Sequence, residues 1–428
     1  IYNLWCQGLN ILLGGLTPFF FHLVNVFLHC VVTALLMYTC QQCVFEDSNF
    51  SFLTALLFSV HPIHTEAVSG IVGRADVLAS MLFLLAFLSY IRSADEFPPT
   101  VCVWSLALSL LLGTCAMLVK ETGVTVFGVC VLYDFLFHKY IYCSFLQVTV
   151  IMSVRLWLMG GSMPLFSEQD NPASFSPYLL TRFLTYCYLL AFNAWLLLAP
   201  IMLCYDWQVG SIPLVESLWD GRNIASLTLA LVMLALSLNC VTCLQKMKGK
   251  EVLVGLLFLV FPFIPASNLF FRVGFVVAER VLYMPSMGYC ILVVHGLNRL
   301  YSVVSRWGAA ALTVSMLVVL LLFSWKTVQQ NEIWLSREAL FRSGIQTLPH
   351  NAKVHYNYAN FLKDKGRNQE AIYHYKTALR LYPRHASALN NLGTLTHQAE
   401  EAEVYYRRAL DINPQHNRAL FNLGNLLK

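Results

Sequence analysis

Apolar runs long enough to cross a bilayer recur along the first three quarters of the chain and dictate most of its folding. Spanning helices need about 17–25 apolar residues, and runs of roughly that kind lie at 18–40, 50–61, 77–93, 100–119, 123–137, 141–158, 179–203, 224–244, 251–270, 280–300 and 308–328. Ten or eleven membrane segments are therefore expected. All should be helical, because a backbone in lipid must satisfy its own N–H and C=O groups. The run at 50–61 is short and is expected to continue into the polar stretch behind it. Of the 428 residues, 57% are hydrophobic and 12% charged, whereas soluble domains carry about 25% charged residues. The apolar excess ends near residue 328, which divides the chain into a membrane part, 1–328, and a tail, 329–428, of soluble composition. A net charge of +5 gives no reason to expect a nucleic-acid partner.

The polar run from His61 to Asp76 stands between two apolar runs. Charge facing lipid is costly, so this run belongs at a membrane surface or in a cavity. Lys and Arg in short loops set orientation. Arg92, Lys139, Lys246, Lys248, Lys250, Arg299 and Arg306 mark one side, expected to be cytosolic. The run 61–76, Lys120–Gly123, the loop 159–223 and 271–280 then lie on the other, luminal side. Two apolar runs separate the start of that loop from the basic turn at 245–250, so one of them should fail to cross. The run 179–203, with Arg182, Asn193 and Pro200, is the better candidate for a re-entrant or interfacial element.

The tail repeats with a period near 34, read from Pro349 and Pro383, and then 31 to Pro414. Tyr358, Ala359, Leu362, Ala371, Tyr375, Ala378 and Pro383 fall at tetratricopeptide positions. Leu389, Leu392, Gly393, Ala402, Tyr406, Ala409 and Pro414 repeat them, three residues short around 397–401. Units are expected near 352–385, 386–416 and 417–428, the last holding one helix. Repeat arrays close on capping helices. The open third unit, and Ile1 in place of Met, predict a chain incomplete at both ends.

Acid and base are dense on the luminal side: His61, His64, Glu66, Arg74, Asp76, Lys120, Glu121, Asp170, Asp206, Glu279 and Arg280. Together they suit an anionic, lipid-linked substrate, with cations on a phosphate and a carboxylate accepting a hydroxyl proton. Lys120-Glu121 can equally be an interfacial ion pair. Glu279 and Arg280 are adjacent, so on a helix they point about 100° apart and need separate partners. His61 and His64 flank a proline turn and lack the i, i+4 geometry of helical zinc pairs, so no metal site is expected. The thirteen cysteines all precede residue 291, mostly within apolar runs, and read as small membrane-helix residues.

Several motifs occur in a specific order: His61-Pro-Ile-His-Thr-Glu-Ala-Val, Gly73-Arg-Ala-Asp, Lys120-Glu-Thr-Gly, Asp170-Asn-Pro-Ala, Asn193-Ala-Trp, Tyr205-Asp-Trp and Ala278-Glu-Arg-Val-Leu-Tyr-Met-Pro. In that order and followed by repeats, they resemble the transmembrane and tetratricopeptide-repeat-containing proteins, and the tail around Asn351 and Asp364-Lys-Gly is most similar to the fourth member. The resemblance implies an all-α architecture, with a polytopic membrane domain of GT-C type followed by a tetratricopeptide α-solenoid. It implies an O-mannosyltransferase of the endoplasmic reticulum membrane with luminal repeats. The donor would be dolichyl-phosphate mannose, the acceptors Ser or Thr of cadherins and protocadherins, and the repeats would hold a protein partner.

On that reading Glu66 and Asp76 are the candidate catalytic carboxylates. Arg74, Lys120 and Arg280 would bind the donor phosphate, supported by His61, His64, Glu121, Asp170, Asn171, Glu279 and Tyr283. GT-C enzymes similar to this family keep their main acid in a first luminal loop. No Asp or Glu precedes Glu46 here, so the main base is expected upstream of Ile1. The competing expectation is a non-catalytic scaffold that anchors the repeats for a luminal or membrane partner, in calcium handling or the stress response.

Overall fold

A computed structural model describes residues 18–95, 99–137, 153, 166–245, 250–270 and 272–428. Among the described residues regular structure is helical, apart from one antiparallel bridge between Trp207 and Val277. The membrane part holds α1 (Pro18–Cys43), α2 (Ser48–Ser59), α3 (Arg74–Asp95), α4 (Pro99–Val119), α5 (Thr125–Phe137), α6 (Leu179–Leu198), α7 (Asn223–Gln245), α8 (Lys250–Val260), α9 (Pro285–Val303) and α10 (Arg306–Ile333). The tail holds α11 (Arg337–Thr347), α12 (Ala352–Asp364), α13 (Asn368–Leu381), α14 (Ala386–Gly393), α15 (Ala399–Ile412) and α16 (Asn417–Leu426).

Five stretches of described helix are long and apolar enough to cross a membrane: Pro18–Cys43, Ile71–Ser93, Leu179–Leu198, Asn223–Thr242 and Arg306–Ile333. Several of the other expected segments are short or interrupted, and the run 50–61 is the twelve-residue α2. The run 251–270 is the eleven-residue α8 followed by a 3-10 turn, Phe261–Ala266, because Pro262 and Pro265 cannot continue an α-helical ladder. The runs 123–137 and 280–300 likewise have 3-10 turns, Glu121–Val124 and Glu279–Leu282, at or just before their starts. The expected segment 141–158 lies outside the described residues apart from Ser153. The run 179–203 is the straight twenty-residue α6, with Thr181, Thr185 and Asn193 turned inward.

The main core joins α1, α2, α3, α5, α8 and α9. Phe258 of α8 sits edge-on to both Phe83 and Phe87 of α3, with ring centroids 5.3 and 5.1 Å apart. Gly288 lets α9 lie directly on α8, since a Cβ there would strike the Gly255 carbonyl and the Leu259 amide. Small residues of this kind are what close helix approach in membranes requires. By contrast α7 and α10 bury almost none of their apolar surface within the protein.

In the tail the signature residues Ala359, Leu362, Ala371, Tyr375, Leu389, Leu392 and Ala409 are buried. Asn351, His385 and His416 cap the first helix of successive units with a side-chain acceptor. Capping satisfies N–H groups that the helix itself leaves open. The repeats also pack on the membrane part. Leu348 and Val354 enter one buried cluster with Ile63, Leu196, Trp207 and Leu282. At the edge of this joint Gly210 adopts φ +89° against the His350 carbonyl, where a side chain would have no room.

Candidate active site

The polar run folds into short turns laid over the ends of the core helices. His61 caps the turn Pro62–His64, its Nδ1 accepting from the Ile63 N–H at 3.2 Å. Its Nε2 bonds the Leu197 carbonyl at 3.0 Å, so this ring ties α6 to the run. Thr65–Ser69 forms one helical turn and carries Glu66 inward. Three further segments cover the same end: 166–175, 199–215 and 272–282.

Two carboxylates and two cations meet under this cover. Glu66 accepts the backbone N–H of Arg280 at 2.9 Å and faces the Arg280 guanidinium at 3.7 Å. Asp76, at the start of α3, is paired with Lys120. The pairs are mutually coupled, since Arg280 also acts electrostatically on Asp76 and Lys120 acts on Glu66. Burial pushes the Glu66 carboxyl up, and Arg280 opposes that rise. The Arg280 side chain is 35% exposed and Glu66 only 11%. Arg280 is therefore the cation of the group best placed to meet a ligand from outside.

Glu279 turns the other way. Its Oε1 accepts the Cys204 N–H at 2.5 Å and the Trp207 indole N–H at 3.0 Å. Burial pushes this carboxyl well up, with Glu66 adding to the rise, while Lys326 of α10 pulls it down. Asp206, between those two partners in sequence, is pushed up to about 6 by burial, with Lys353 opposing. It lies within electrostatic reach of Arg280 and accepts the Asn357 amide at 3.3 Å.

A family profile described as "Protein O-mannosyl-transferase TMTC, DUF1736" matches residues 160–234, which include the covering segment around Cys204–Trp207. A tetratricopeptide profile matches residues 351–415. The protein O-mannosyl-transferase TMTC1 of Mus musculus is 59% identical over 492 residues, covering 92% of this chain and 52% of the mouse protein. TMTC1 of Homo sapiens is 63% identical over 435 residues, covering 92% and 49%. The chain belongs to the TMTC family. It spans about half the length of the curated relatives it matches. The likeness to the fourth member in particular needs correcting, because TMTC4 of Homo sapiens is only 40% identical over 409 residues, covering 85% of this chain and 55% of the human protein.

Within this TMTC chain the residues singled out from sequence divide by position. Glu66, Asp76, Lys120, Arg280 and Glu279 come together, and Glu121 lies in the field of Asp76. Arg74 points away. Its Nε donates to Asn25 Oδ1 at 2.6 Å and its Nη2 to the Phe21 carbonyl at 2.8 Å, which fastens α1 to the polar run. Asp170 accepts the Ser167 hydroxyl and amide at 2.7 and 3.0 Å. Asn171 donates to Asn268 Oδ1 and to the Val273 carbonyl at 2.9 and 3.0 Å, joining two covering segments.

His64 and Tyr283 belong to an aromatic group with Phe58 and His29. The His64 Nε2 meets Ser286 Oγ at 2.8 Å, and the Tyr283 hydroxyl meets His29 Nδ1 at 2.7 Å. His29, Asn25 and Lys326 escaped the sequence reading because they are isolated polar residues dispersed within apolar runs. The only signal was their rarity there, which by itself favours function or a buried partner.

Proposed function

We propose that the chain is the membrane and repeat portion of a protein O-mannosyltransferase. It would move mannose from dolichyl-phosphate mannose to Ser or Thr hydroxyls of cadherin-type proteins in the lumen of the endoplasmic reticulum. The observation that carries this reading is the coupled group Glu66–Arg280 and Asp76–Lys120, set at the ends of apolar helices. The activity named for the relatives supports it. A lipid-phosphate donor needs a cation reachable from the bilayer surface, and Arg280 is partly open. The attacking hydroxyl must lose a proton as the new C–O bond forms and the phosphate leaves. Glu66 is the carboxylate nearest Arg280 and is the proposed positioning group for that hydroxyl.

The test is transfer of mannose from dolichyl-phosphate mannose to a Ser/Thr peptide by the protein purified in detergent. Arg280→Ala keeps the backbone N–H that holds Glu66 and deletes the side chain beyond Cβ, guanidinium included. A fall in turnover of at least about tenfold is expected from loss of one charge-assisted contact. Unchanged turnover would remove Arg280 from the site.

A further inference from the structure

We propose that Lys326 holds the phosphate of a lipid-linked donor on the bilayer side of the site. This deepens the transferase reading and rests on it for the identity of the lipid. Lys326 is the single Lys, Arg, Asp or Glu between Arg306 and Glu332, on the spanning helix α10. Charge inside a span is costly and marks a partner or a function.

Its depth suits a headgroup. The apolar residues 308–325 ahead of it rise about 27 Å as helix, close to the roughly 30 Å hydrocarbon layer. The helix then runs on to Ile333, about 10 Å further. Lys326 therefore stands where hydrocarbon ends and lipid phosphates begin.

A lysine on the lipid face would snorkel freely to water. Lys326 is instead half-buried and shares a helical stripe with residues that pack inward. Phe323 sits 4.8 Å from the His61 ring, Thr327 donates to the Val60 carbonyl at 2.8 Å, and Gln330 is buried. The Lys326 ammonium lies within electrostatic reach of Glu279. Among the described residues, though, no hydrogen bond or ion pair engages it. Lys120 and Arg280 already face Asp76 and Glu66. Lys326 alone of the three cations has a counter-charge nearby and all its donors open.

A lipid can reach this point from the side. His61 touches Phe323 of α10 and bonds the Leu197 carbonyl of α6 at 3.0 Å. Glu279 likewise links Lys326 to the Cys204 N–H. The end of α6 and the turn after it are thus neighbours of α10 at this level. Trp195, Leu198, Ile201 and Met202 are exposed on one side, and Leu322 and Trp325 on the other. An apolar chain is stabilised along such walls with its phosphate at Lys326. A soluble sugar nucleotide would leave them bare.

The first test measures binding without acceptor, by native mass spectrometry of the whole protein released from phosphatidylcholine nanodiscs. The probes are dolichyl phosphate, dolichol and phosphatidic acid. Dolichyl phosphate should bind at least about tenfold more tightly than either of the others. Lys326→Met keeps the apolar stem and removes the charge. It should weaken dolichyl phosphate about tenfold with melting temperature unchanged, and Lys326→Arg should restore binding to within about threefold. The second test is transfer. Lys326→Met should raise donor KM about tenfold and leave kcat and peptide KM within about twofold, as expected where ground and transition states share a contact.

Undiminished dolichyl phosphate binding by Lys326→Met, or equal binding of dolichol or phosphatidic acid, would overturn the assignment. So would a joint fall of kcat and melting temperature in both variants, which marks a structural lysine. If the lipid binds as stated but no mannose is transferred, the phosphate seat stands and the transferase reading fails. If Lys326→Met transfers mannose with unchanged donor KM, the transferase reading stands and the seat fails.

Discussion

Asn351 caps α12 with its side-chain oxygen and, through Nδ2 of the same amide, holds the Asp206 carbonyl at 2.8 Å. One side chain thus starts the repeat array and fastens it beside the charged group. Asn351→Asp keeps the cap acceptor and loses the donor. Asn351→Ala loses both. The alanine variant should cost about 1 kcal/mol or more in repeat stability, whereas the aspartate should preserve repeat helicity and loosen only the joint. Thermal unfolding by circular dichroism separates the first effect. Protease cutting near 205–211 reports the second.

Asp206 provides a pH test. Its carboxyl is raised to about 6 in the fold by burial, so its contribution to stability is fully present below the ordinary value near 3.8 and is lost as pH rises through about 6. Asp206→Asn removes that loss. The variant should gain roughly 1–3 kcal/mol relative to the unaltered protein at pH 7.5 compared with pH 4. Equal differences in unfolding free energy at the two pH values would contradict the burial of this group.

Gly288 sets how closely α9 meets α8. Gly288→Ala places a methyl against the Gly255 carbonyl and the Leu259 amide, both backbone atoms that cannot rotate aside. A loss of about 1–3 kcal/mol is expected, read as a lower melting temperature and a larger aggregated fraction on size exclusion. Gly296→Ala, on the same helix with open space at its Cβ, is the control and should change neither.

Trp207→Phe deletes one of the two N–H donors on Glu279 and keeps the ring that packs on Phe192. A buried carboxyl deprived of a donor is held less well as an anion. The Cys204 N–H remains, so the covering segment should stay folded while transfer falls several-fold. Tryptophan-to-phenylalanine exchange at the exposed Trp219 should leave transfer unchanged.

Much of the tail was legible because a repeat states each position more than once. Tyr358, Ala371 and Ala378 announce a buried seam, and their counterparts Leu392, Ala402 and Ala409 confirm the register; all six are buried. The membrane part was legible in kind and less so in detail. An apolar run such as 251–270 carries no periodic signal for where an α-helix yields to a 3-10 turn, and its prolines decide that locally.

In the site, Glu66, Asp76, Lys120 and Arg280 were visible because charge is rare beside apolar runs. Their pairing was not, since Glu66 and Arg280 are 214 positions apart. Arg74 shows the opposite limit. A cation amid site-like residues was engaged by Asn25, a side chain hidden inside an apolar run.

The joint between the repeats and the membrane part also has a mechanical side. Only residues 334–336 separate α10 from α11, and Asn351, Asn357 and Val354 grip the segment around Asp206 from above. A pull on the far end of the array therefore reaches that segment as leverage through a stiff arm rather than being absorbed by slack chain.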